Sequence, residues 1–584
     1  MTTSEYIKEY RKIKNDSYSK TIKIAYLPGS TLRGVKETLG VMCAYMGIKA
    51  HTYVSEYNQY SQQILDYSSE LYKSNPDVVI IAVDLETAIG DDYFKGFTMA
   101  SEERIKLKDK ILKEFKLLIN TIRKNLNCSV IVHNFEVPFY SPMGILENKQ
   151  EFGFSEMVET INWELRNQFK NVDRVYIFDY DKFLSRIGKG IERDYKMYYL
   201  GDMKLDMKYV PELCREYMNY VKPIMSSVKK CLVVDLDGTL WGGVVGEDGI
   251  EGIKLGPTGS GKPFYEFQKY IKSLFEKGVI LAVNSKNNYD DAMEVIRKHP
   301  YMVLKEEDFA DFEINWKDKA SNMRAIAKKL NIGIDSMVFM DDDKLNCEIV
   351  RESFKGEVKV VNMPSDPSLY LKTIMDISDE FNVLYLTDED KKKGLMYAQN
   401  RKREELKEEI NSIDEYLEAL NIRAEVKIDD EFNISRVAQL TQKTNQFNLT
   451  TKRYFESDIE SFIRDEEHLV LSISVKDKFG DNGICGAGII KKENNIWDID
   501  TLLLSCRVMG RKIEYAIMNY IESKALNEGI NTIRATYVPT KKNIPVKDLY
   551  ESMGFKCIKE ENGTKFYEKT AGNQVDKPEF IDIV

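Results

Sequence analysis

Leu232-Val233-Val234-Asp235-Leu236-Asp237-Gly238-Thr239-Leu240 is the stretch on which the reading of this chain turns. A short aliphatic run feeds directly into two carboxylates one residue apart. Such a run predicts a buried parallel strand, and carboxylates at its C-terminal end project into the crevice where α/β sheets bind ligands. A DxD pair alone is common in loops, so its meaning rests on the residues downstream. Residues 279–283 predict a second strand that ends in Asn284-Ser285. Lys319, in Asn315-Trp316-Lys317-Asp318-Lys319-Ala320, stands at the expected start of a helix, and an expected strand over 337–340 runs into Asp341, Asp342 and Asp343. An oxygen nucleophile, a hydroxyl, a lysine and an acidic cluster thus fall on successive elements. Phosphoryl transfer needs such a set: an attacking oxygen, a proton carrier, cations on the equatorial oxygens and a hard metal.

A competing motif lies close by. Gly256-Pro257-Thr258-Gly259-Ser260-Gly261-Lys262 satisfies GxxxxGK, but Pro263 stands where a P-loop needs a Ser/Thr hydroxyl for its metal. Proline there suits the first turn of a helix. The glycine-dense stretch 242–261 reads as a flexible flap after the first motif. Between Leu240 and Val279 there is no room for a separate cap domain of ~100 residues, so an uncapped crevice is expected.

Working outward, 584 residues argue for three or four units. Ahead of the central motif, apolar runs at 22–27, 77–83, 129–132 and 174–178 alternate with amphipathic stretches such as 107–126, the pattern of βαβ units. The second unit continues with an expected strand at 358–361. Around 387–420 the chain turns strongly charged, and Leu406, Ile410, Ile413, Leu417 and Leu420 predict one amphipathic helix packing its stripe on a neighbour. A third unit is richer in strand, with runs at 423–428, 468–475, 483–490, 531–537 and after Phe555, and a helix over 511–524. The expected boundaries are 1–225, 226–380, a charged helical linker at 381–420, and 421–584.

Composition narrows the function. With 84 Lys+Arg against 94 Asp+Glu, the net charge is −10, which removes the footprint of a general nucleic-acid binder. No apolar run approaches the ~20 residues of a membrane helix, and Met1-Thr2-Thr3-Ser4-Glu5-Tyr6 leads into no signal-peptide core, so a cytoplasmic protein is expected. Eight scattered cysteines with no CxxC pair read as reduced thiols, and four histidines leave little for histidine-rich metal chemistry.

The ordered motifs resemble those of the haloacid-dehalogenase-type (HAD) phosphatase superfamily. More closely, residues 235–249 (DLDGTLWGGVVGEDG), 284–288 (NSKNN) and 315–320 (NWKDKA) look like the FkbH-like proteins. The resemblance implies that Asp235 attacks phosphorus and that Asp237 protonates the leaving group and then activates water. It implies phosphate contacts from Thr239, Ser285 and Lys319. It also implies Mg²⁺ on Asp235, the Asp237 carbonyl and the acidic cluster, with Asp341 a more direct ligand than Asp342. The best-known form of this chemistry dephosphorylates 1,3-bisphosphoglycerate and delivers the glyceryl group to an acyl carrier protein. A stand-alone phosphatase for a sugar or polyol phosphate of a surface glycan, or a catalytically silent scaffold, are the other expectations. Many FkbH-like glyceryl transferases carry cysteine before the motif-two serine, where Asn284 stands here.

The flanking units carry their own resemblances. Residues 22–32, 57–71 and 79–84 resemble an SGNH-hydrolase-like, flavodoxin-like domain, with Ser30 as its nucleophile and Asn134 in an oxyanion hole; a serine nucleophile needs a base, and 195–210 holds no histidine. The third unit resembles the GNAT acyltransferase fold. Arg507-Val508-Met509-Gly510-Arg511 partly matches the loop that binds the coenzyme A pyrophosphate on a helix N-terminus, with Lys512 at the last small position, and Tyr550 falls in the general-acid region. Coenzyme A or a phosphopantetheine arm is the implied ligand. The expected architecture is α/β in three domains: an SGNH-like parallel sheet, a capless HAD sheet and a GNAT-like mixed sheet.

Overall fold

A computed structural model describes residues 1–584 apart from 14–17, 19, 387, 411, 494, 541 and 573, and without the side chains of 388, 389, 405, 408 and 506. The Cys506 side chain and residue 387, where the charged stretch opens, therefore lie outside the described residues. The chain forms two compact units, Met1–Ser227 and Val228–Val584.

The first unit is built on five parallel strands, β1 (Lys20–Pro28), β2 (Ile48–Val54), β3 (Val78–Ala82), β4 (Ser129–His133) and β5 (Val175–Phe178). Their order, β2-β1-β3-β4-β5, is the flavodoxin-like one. Strands β3 and β4 are nearly continuous Val/Ile runs because both faces are covered. Helix α1 (Ser101–Asn125) buries Leu107, Ile111, Phe115, Leu118 and Ile122 on one face, while α2 (Val210–Ile224) buries Leu213, Tyr217 and Val221 on the other.

The second unit opens with another five-stranded parallel sheet, β6 (Cys231–Val234), β7 (Ile280–Ser285), β8 (Phe309–Ile314), β9 (Met337–Asp341) and β10 (Lys359–Asn362), in the order β10-β9-β6-β7-β8. Helix α3 (Lys262–Glu276) begins at the rejected P-loop motif with Pro263 in its first turn, and Lys262 pairs with Glu266 on the surface. Between β6 and β7 stand only this helix, the short helix Val245–Gly252 and one 3₁₀ turn, so no cap domain interrupts the sheet. The expected flap is an ordered excursion. Gly242 and Lys254 exchange backbone hydrogen bonds of 3.1 and 2.7 Å, and Asp248 accepts from Val244 N–H at 2.9 Å. Helices α4 (Lys319–Lys329) and α5 (Lys344–Phe354) come after β8 and β9.

An eight-stranded mixed sheet completes this unit: β11 (Ile422–Ile428), β12 (His468–Asp477), β13 (Gly480–Glu493), β14 (Ile496–Leu504), β15 (Thr532–Tyr537), β16 (Lys556–Glu561), β17 (Thr564–Thr570) and β18 (Ile581–Ile583). Its order is β16-β17-β15-β14-β13-β12-β11-β18, antiparallel except for β14/β15 and β11/β18. The single linker helix expected from the sequence is two helices, α6 (Lys393–Glu409) and α7 (Ile413–Ala419). Ser412 caps the second by accepting from Glu415 N–H, which restarts the chain in a new direction. Leu406, Ile410, Leu417 and Leu420 pack on the mixed-sheet core, whereas Ile413 is exposed. Helix α8 (Ile513–Asn527) lies across this sheet. Among the described residues no helix is long and apolar enough to cross a membrane.

Helix α6 joins the two sheets. On one side Arg401 lies over the Phe312 ring of β8 at 4.8 Å. On the other, Arg403 clasps Asp477 of β12 with two 2.8 Å hydrogen bonds, and both side chains are fully buried. Burial would raise the Asp477 carboxyl, but Arg403 and Arg511 together hold it below the usual carboxylate range. Removing one member of such a buried pair strands the other, at roughly 3–5 kcal/mol. Asp477→Asn is therefore expected to lower the unfolding free energy in urea by that amount; a loss below ~1 kcal/mol, the value of an exposed pair, would refute the assignment.

Candidate functional site

Strand pairing assembles the central site. Adjacent strands β6 and β9 place Val234 opposite Met340, and Asp235 N–H donates to Met340 O at 3.0 Å, so Asp235 and Asp341 emerge side by side. Lys319 opens α4 and reaches between them, its Nζ 2.9 Å from Asp235 Oδ1 and 3.1 Å from Asp341 Oδ2. Burial alone would lower the Lys319 ammonium, but the two carboxylates raise it above the ordinary lysine value. Burial, and then the charge of Asp235, pushes Asp341 up, and the same causes raise Asp342.

Asp235, Asp341 and Asp342 offer oxygens that all lie within 4.8 Å of one another, the one group of its kind among the described residues. Three carboxylates face a single ammonium there. An all-oxygen set of this charge suits a hard divalent cation such as Mg²⁺. The turn below it depends on Gly238, whose φ of +70° is in the left-handed region and whose missing Cβ would stand 2.4 Å from Asp342 Oδ2. Tyr370 donates to Gly238 O at 2.6 Å and fixes the same turn.

Asp237 points elsewhere. Its Oδ1 accepts from Trp241 Nε1 at 2.7 Å and Val245 N–H at 3.2 Å, and its Oδ2 from Asn287 Nδ2 at 2.8 Å. Burial raises its carboxyl above the usual range against those donors, the direction that suits a proton donor. Ser285 is buried at the tip of β7 beside the Asn284–Lys319 contact. The Thr239 hydroxyl donates to Asp342 Oδ1 at 3.2 Å and so braces the acidic cluster.

Asn284 neither caps the next helix nor offers a spare amide beside Ser285. Its Nδ2 donates to Lys319 O at 3.0 Å, its Oδ1 accepts from Asn322 Nδ2 at 3.1 Å, and its carbonyl accepts from Lys319 Nζ at 2.7 Å. The helix cap is Asn288. Asn284 and Asn322 therefore fix Lys319. Sequence alone assigned no role to Trp241, Asn287 or Asn322. Two of them lie inside the quoted motifs, and Asn322 is one turn from Lys319, which was the available signal.

The other candidates belong to the other two sheets. In the first unit, Ser30, Asp84, His133, Tyr180 and Lys204 line a small polar cavity at the ends of β1, β3 and β4. Lys204 Nζ is held 2.8 Å from Asp84 and 2.9 Å from the Thr87 hydroxyl. His133 pairs with the Tyr217 hydroxyl at 2.7 Å, and burial lowers its imidazole to about 3, which makes it a poor base. Asn134 does not line that cavity; its amide donates to Asp179 at 2.8 Å and its oxygen accepts from Asp181 N–H at 3.1 Å. In the mixed sheet, Gly510 is exposed with φ +76°, while Arg511 is buried against Asp477 and Asn400. Arg507 meets Met396 of α6 and the Ser505 hydroxyl. Tyr550 is buried, its hydroxyl has no hydrogen-bond partner, and burial drives its phenol far up.

A solved structure shares much of this chain. The crystal structure of the N-terminal part of the protein BF1531 from Bacteroides fragilis, containing a phosphatase domain and complexed with Mg, is 31% identical to the chain. It covers 66% of this chain, which in turn covers 99% of it, with a TM-score of 0.59. The chain belongs to the same family as BF1531. The family profile of the FkbH N-terminal domain matches residues 23–222, so that domain is the first parallel sheet and its helices. The second parallel sheet, with its four motifs in order, has the HAD-type fold. The ribosomal-protein-S18-alanine N-acetyltransferase from Escherichia coli (10% identity, 27% and 97% coverage, TM-score 0.21) and Ard1 from Thermoplasma volcanium (14%, 25% and 97%, 0.21) also match, and at these scores carry no argument about function. No curated protein matches.

The Gly238 cradle yields a test. Gly238→Ala should lower Mg²⁺ affinity by tenfold or more in calorimetric titration, by displacing Asp342, while the left-handed backbone costs only ~1 kcal/mol of stability. Unchanged Mg²⁺ binding would dissociate Asp342 from the cation site.

Proposed function

We propose that the chain is a Mg²⁺-dependent phosphatase that cleaves a phosphorylated small molecule through an aspartyl-phosphate on Asp235. The observation carrying this reading is the Lys319 ammonium held between Asp235 and Asp341, with Asp342 alongside and Asp237 kept separate by its own donors. Asp235 attacks phosphorus while the bond to the leaving oxygen breaks, and Asp237, protonated, gives that oxygen its proton. Asp237 then takes a proton from the water that attacks the aspartyl-phosphate, which frees phosphate and restores Asp235. Lys319 and Ser285 hold the phosphoryl oxygens. Asp235, Asp341, Asp342 and the Asp237 carbonyl fit Mg²⁺, which would neutralise charge on those oxygens when bound.

A second, finer reading takes an acyl phosphate such as 1,3-bisphosphoglycerate and delivers the acyl group to a carrier protein. The uncapped crevice supports it, because nothing between β6 and β7 closes over a large acceptor. An enzyme-bound thioester is disfavoured. Asn284 holds the position where cysteine would serve, and burial drives the Cys231 thiol far up and the Cys347 thiol up to about 12. Transfer would then be direct: the acceptor thiolate attacks the acyl carbon, and phosphate leaves with the electron pair. That route does not use Asp235 as nucleophile.

Asp235→Asn should therefore lower phosphate release from p-nitrophenyl phosphate by on the order of 10³-fold, and chelation should abolish it in the parent. Chelator-insensitive turnover, or full activity in the variant, would overturn the phosphatase reading. Loading of a carrier protein that survives Asp235→Asn would establish direct transfer. In the first unit, Ser30 lacks an available base, so a serine-reactive fluorophosphonate should leave the protein unlabelled in intact-mass analysis. Stoichiometric labelling at Ser30 would assign it hydrolase chemistry.

A further inference from the structure

The mixed sheet contains a gap that its own chain fills. Strands β14 and β15 run parallel and pair only where Ile496–Ile499 meets Thr532–Ala535. Beyond that point they part. A gap between parting strands exposes backbone donors and acceptors on two edges, which suits an extended, amide-bearing ligand that adds as a strand. A pantetheine arm, with its two amides, is such a ligand.

Here those groups are taken. Leu504 N–H donates to Phe447 O at 3.0 Å, Leu449 N–H donates to Leu502 O at 3.3 Å, and Val538 N–H donates to Leu449 O at 2.8 Å. Phe447, Asn448 and Leu449 thus form a short bridging strand between β14 and β15. All three are buried. The insert is pinned on its far side as well. Asn543 Nδ2 donates to Asn448 O at 3.0 Å and to Val538 O at 2.9 Å, and Asn448 Oδ1 accepts from Thr451 N–H at 2.8 Å.

The side chains of the loop after β14 are engaged independently. The Arg511 guanidinium gives NH1 to Asp477 at 3.0 Å and NH2 to Asn400 at 3.0 Å and to Arg507 O at 2.6 Å. Asn400 belongs to α6, and so does Met396 against Arg507. A guanidinium paired to a buried carboxylate cannot also neutralise a phosphate without leaving that carboxylate stranded. Tyr550, the residue a general acid would occupy, sits among Phe555 and Tyr567 with ring centroids at 5.2 and 5.4 Å, and is sealed from solvent.

We infer that the mixed-sheet lobe takes no coenzyme A and no pantetheine arm: residues 447–449 and helix α6 occupy the places such a ligand needs, and the lobe is a closed scaffold that transfers no acyl group. Coenzyme A thus does not fit the residues present, despite the resemblance of the Arg507–Arg511 sequence. The lobe instead presents α6 to β8, an edge strand of the phosphatase sheet, and covers one flank of that strand. Any carrier-borne acceptor would then be met in the phosphatase crevice itself.

The test uses the full chain. Coenzyme A and acetyl-coenzyme A are titrated to about 1 mM by calorimetry, and amide hydrogen exchange is followed with and without them. No saturable heat is expected, and the amides of Leu449, Leu504 and Val538 should exchange as slowly as the sheet core under both conditions. Binding tighter than ~100 μM that alters exchange at these three amides would overturn the inference, as would their rapid exchange in the free protein. Binding that alters exchange at other amides of residues 422–583 would overturn it too, whereas binding felt only outside those residues upholds it. Neither readout involves phosphate release, so the outcome is separable from the phosphatase reading.

Discussion

One buried ammonium organises the centre of this protein. Lys319 is almost without exposure, and it survives there because two carboxylates and a backbone carbonyl surround it within 3.1 Å. A lone buried cation would be prohibitively desolvated, so the pairing dictates much else. Asp235 and Asp341 must emerge from neighbouring strands, which β6 and β9 ensure. The ammonium must be aimed, which Asn284 and Asn322 achieve by gripping the first turn of α4. Asp342 then adds a third carboxylate that no ammonium balances. That surplus of negative charge is the physical reason a divalent cation fits the crevice.

The strands legible in the sequence are those carried by continuous apolar runs. Continuous apolar runs marked β1, β3, β4, β6 and β7, which pair on both edges and are covered on both faces. No such run marked β2 (Ile48–Val54) or β8 (Phe309–Ile314), which mix polar and apolar residues and stand at sheet edges, whereas the edge strands β5 and β10 were expected at 174–178 and 358–361. In the mixed sheet, the edge strand β18 was missed, while the strand expected after Phe555 is the other edge, β16, although it is exposed along its length. An edge strand needs less apolar side chain, and its periodicity fades accordingly. The linker misled for another reason. Its apolar stripe continues through Leu406, Ile410, Leu417 and Leu420, but the Ser412 cap breaks the backbone that carries it. Side-chain periodicity reports a shared face and does not require one helix.

The site was legible to the same degree. Residues whose chemistry is local stood out, because carboxylates at strand tips and a lysine at a helix start can be recognised from neighbours in the chain. Residues that act by touching something distant did not. Asn287 reaches Asp237 across 50 positions, and Asn284 reaches Lys319 across 35. The Arg507–Arg511 loop shows the converse case. Its local pattern invites an anion, yet the groups that decide its state come from α6, 111 positions earlier in the chain for both Met396 and Asn400. Motif reading tests whether a loop could bind a ligand, and only packing tells whether its donors remain free.

A common rule connects the three sheets. Buried polar groups are normally paired, and a site for chemistry is a place where pairing is left incomplete until a ligand arrives. In the FkbH N-terminal domain, the polar groups lining the cavity around Ser30 are engaged with one another, Lys204 with Asp84 and His133 with Tyr217. In the mixed sheet, the parted strands are bridged by Phe447–Leu449 and Arg511 is spent on Asp477. The crevice at β6 and β9 holds the one group of carboxylates among the described residues whose oxygens converge closely enough for a metal ion. The unbalanced charge of the second unit therefore gathers at β6 and β9, beside the tip of β7. The same rule explains why a resemblance of fold need not carry its reaction with it: the fold supplies the crevice, and the remaining imbalance of charge and hydrogen bonds decides whether anything is done there.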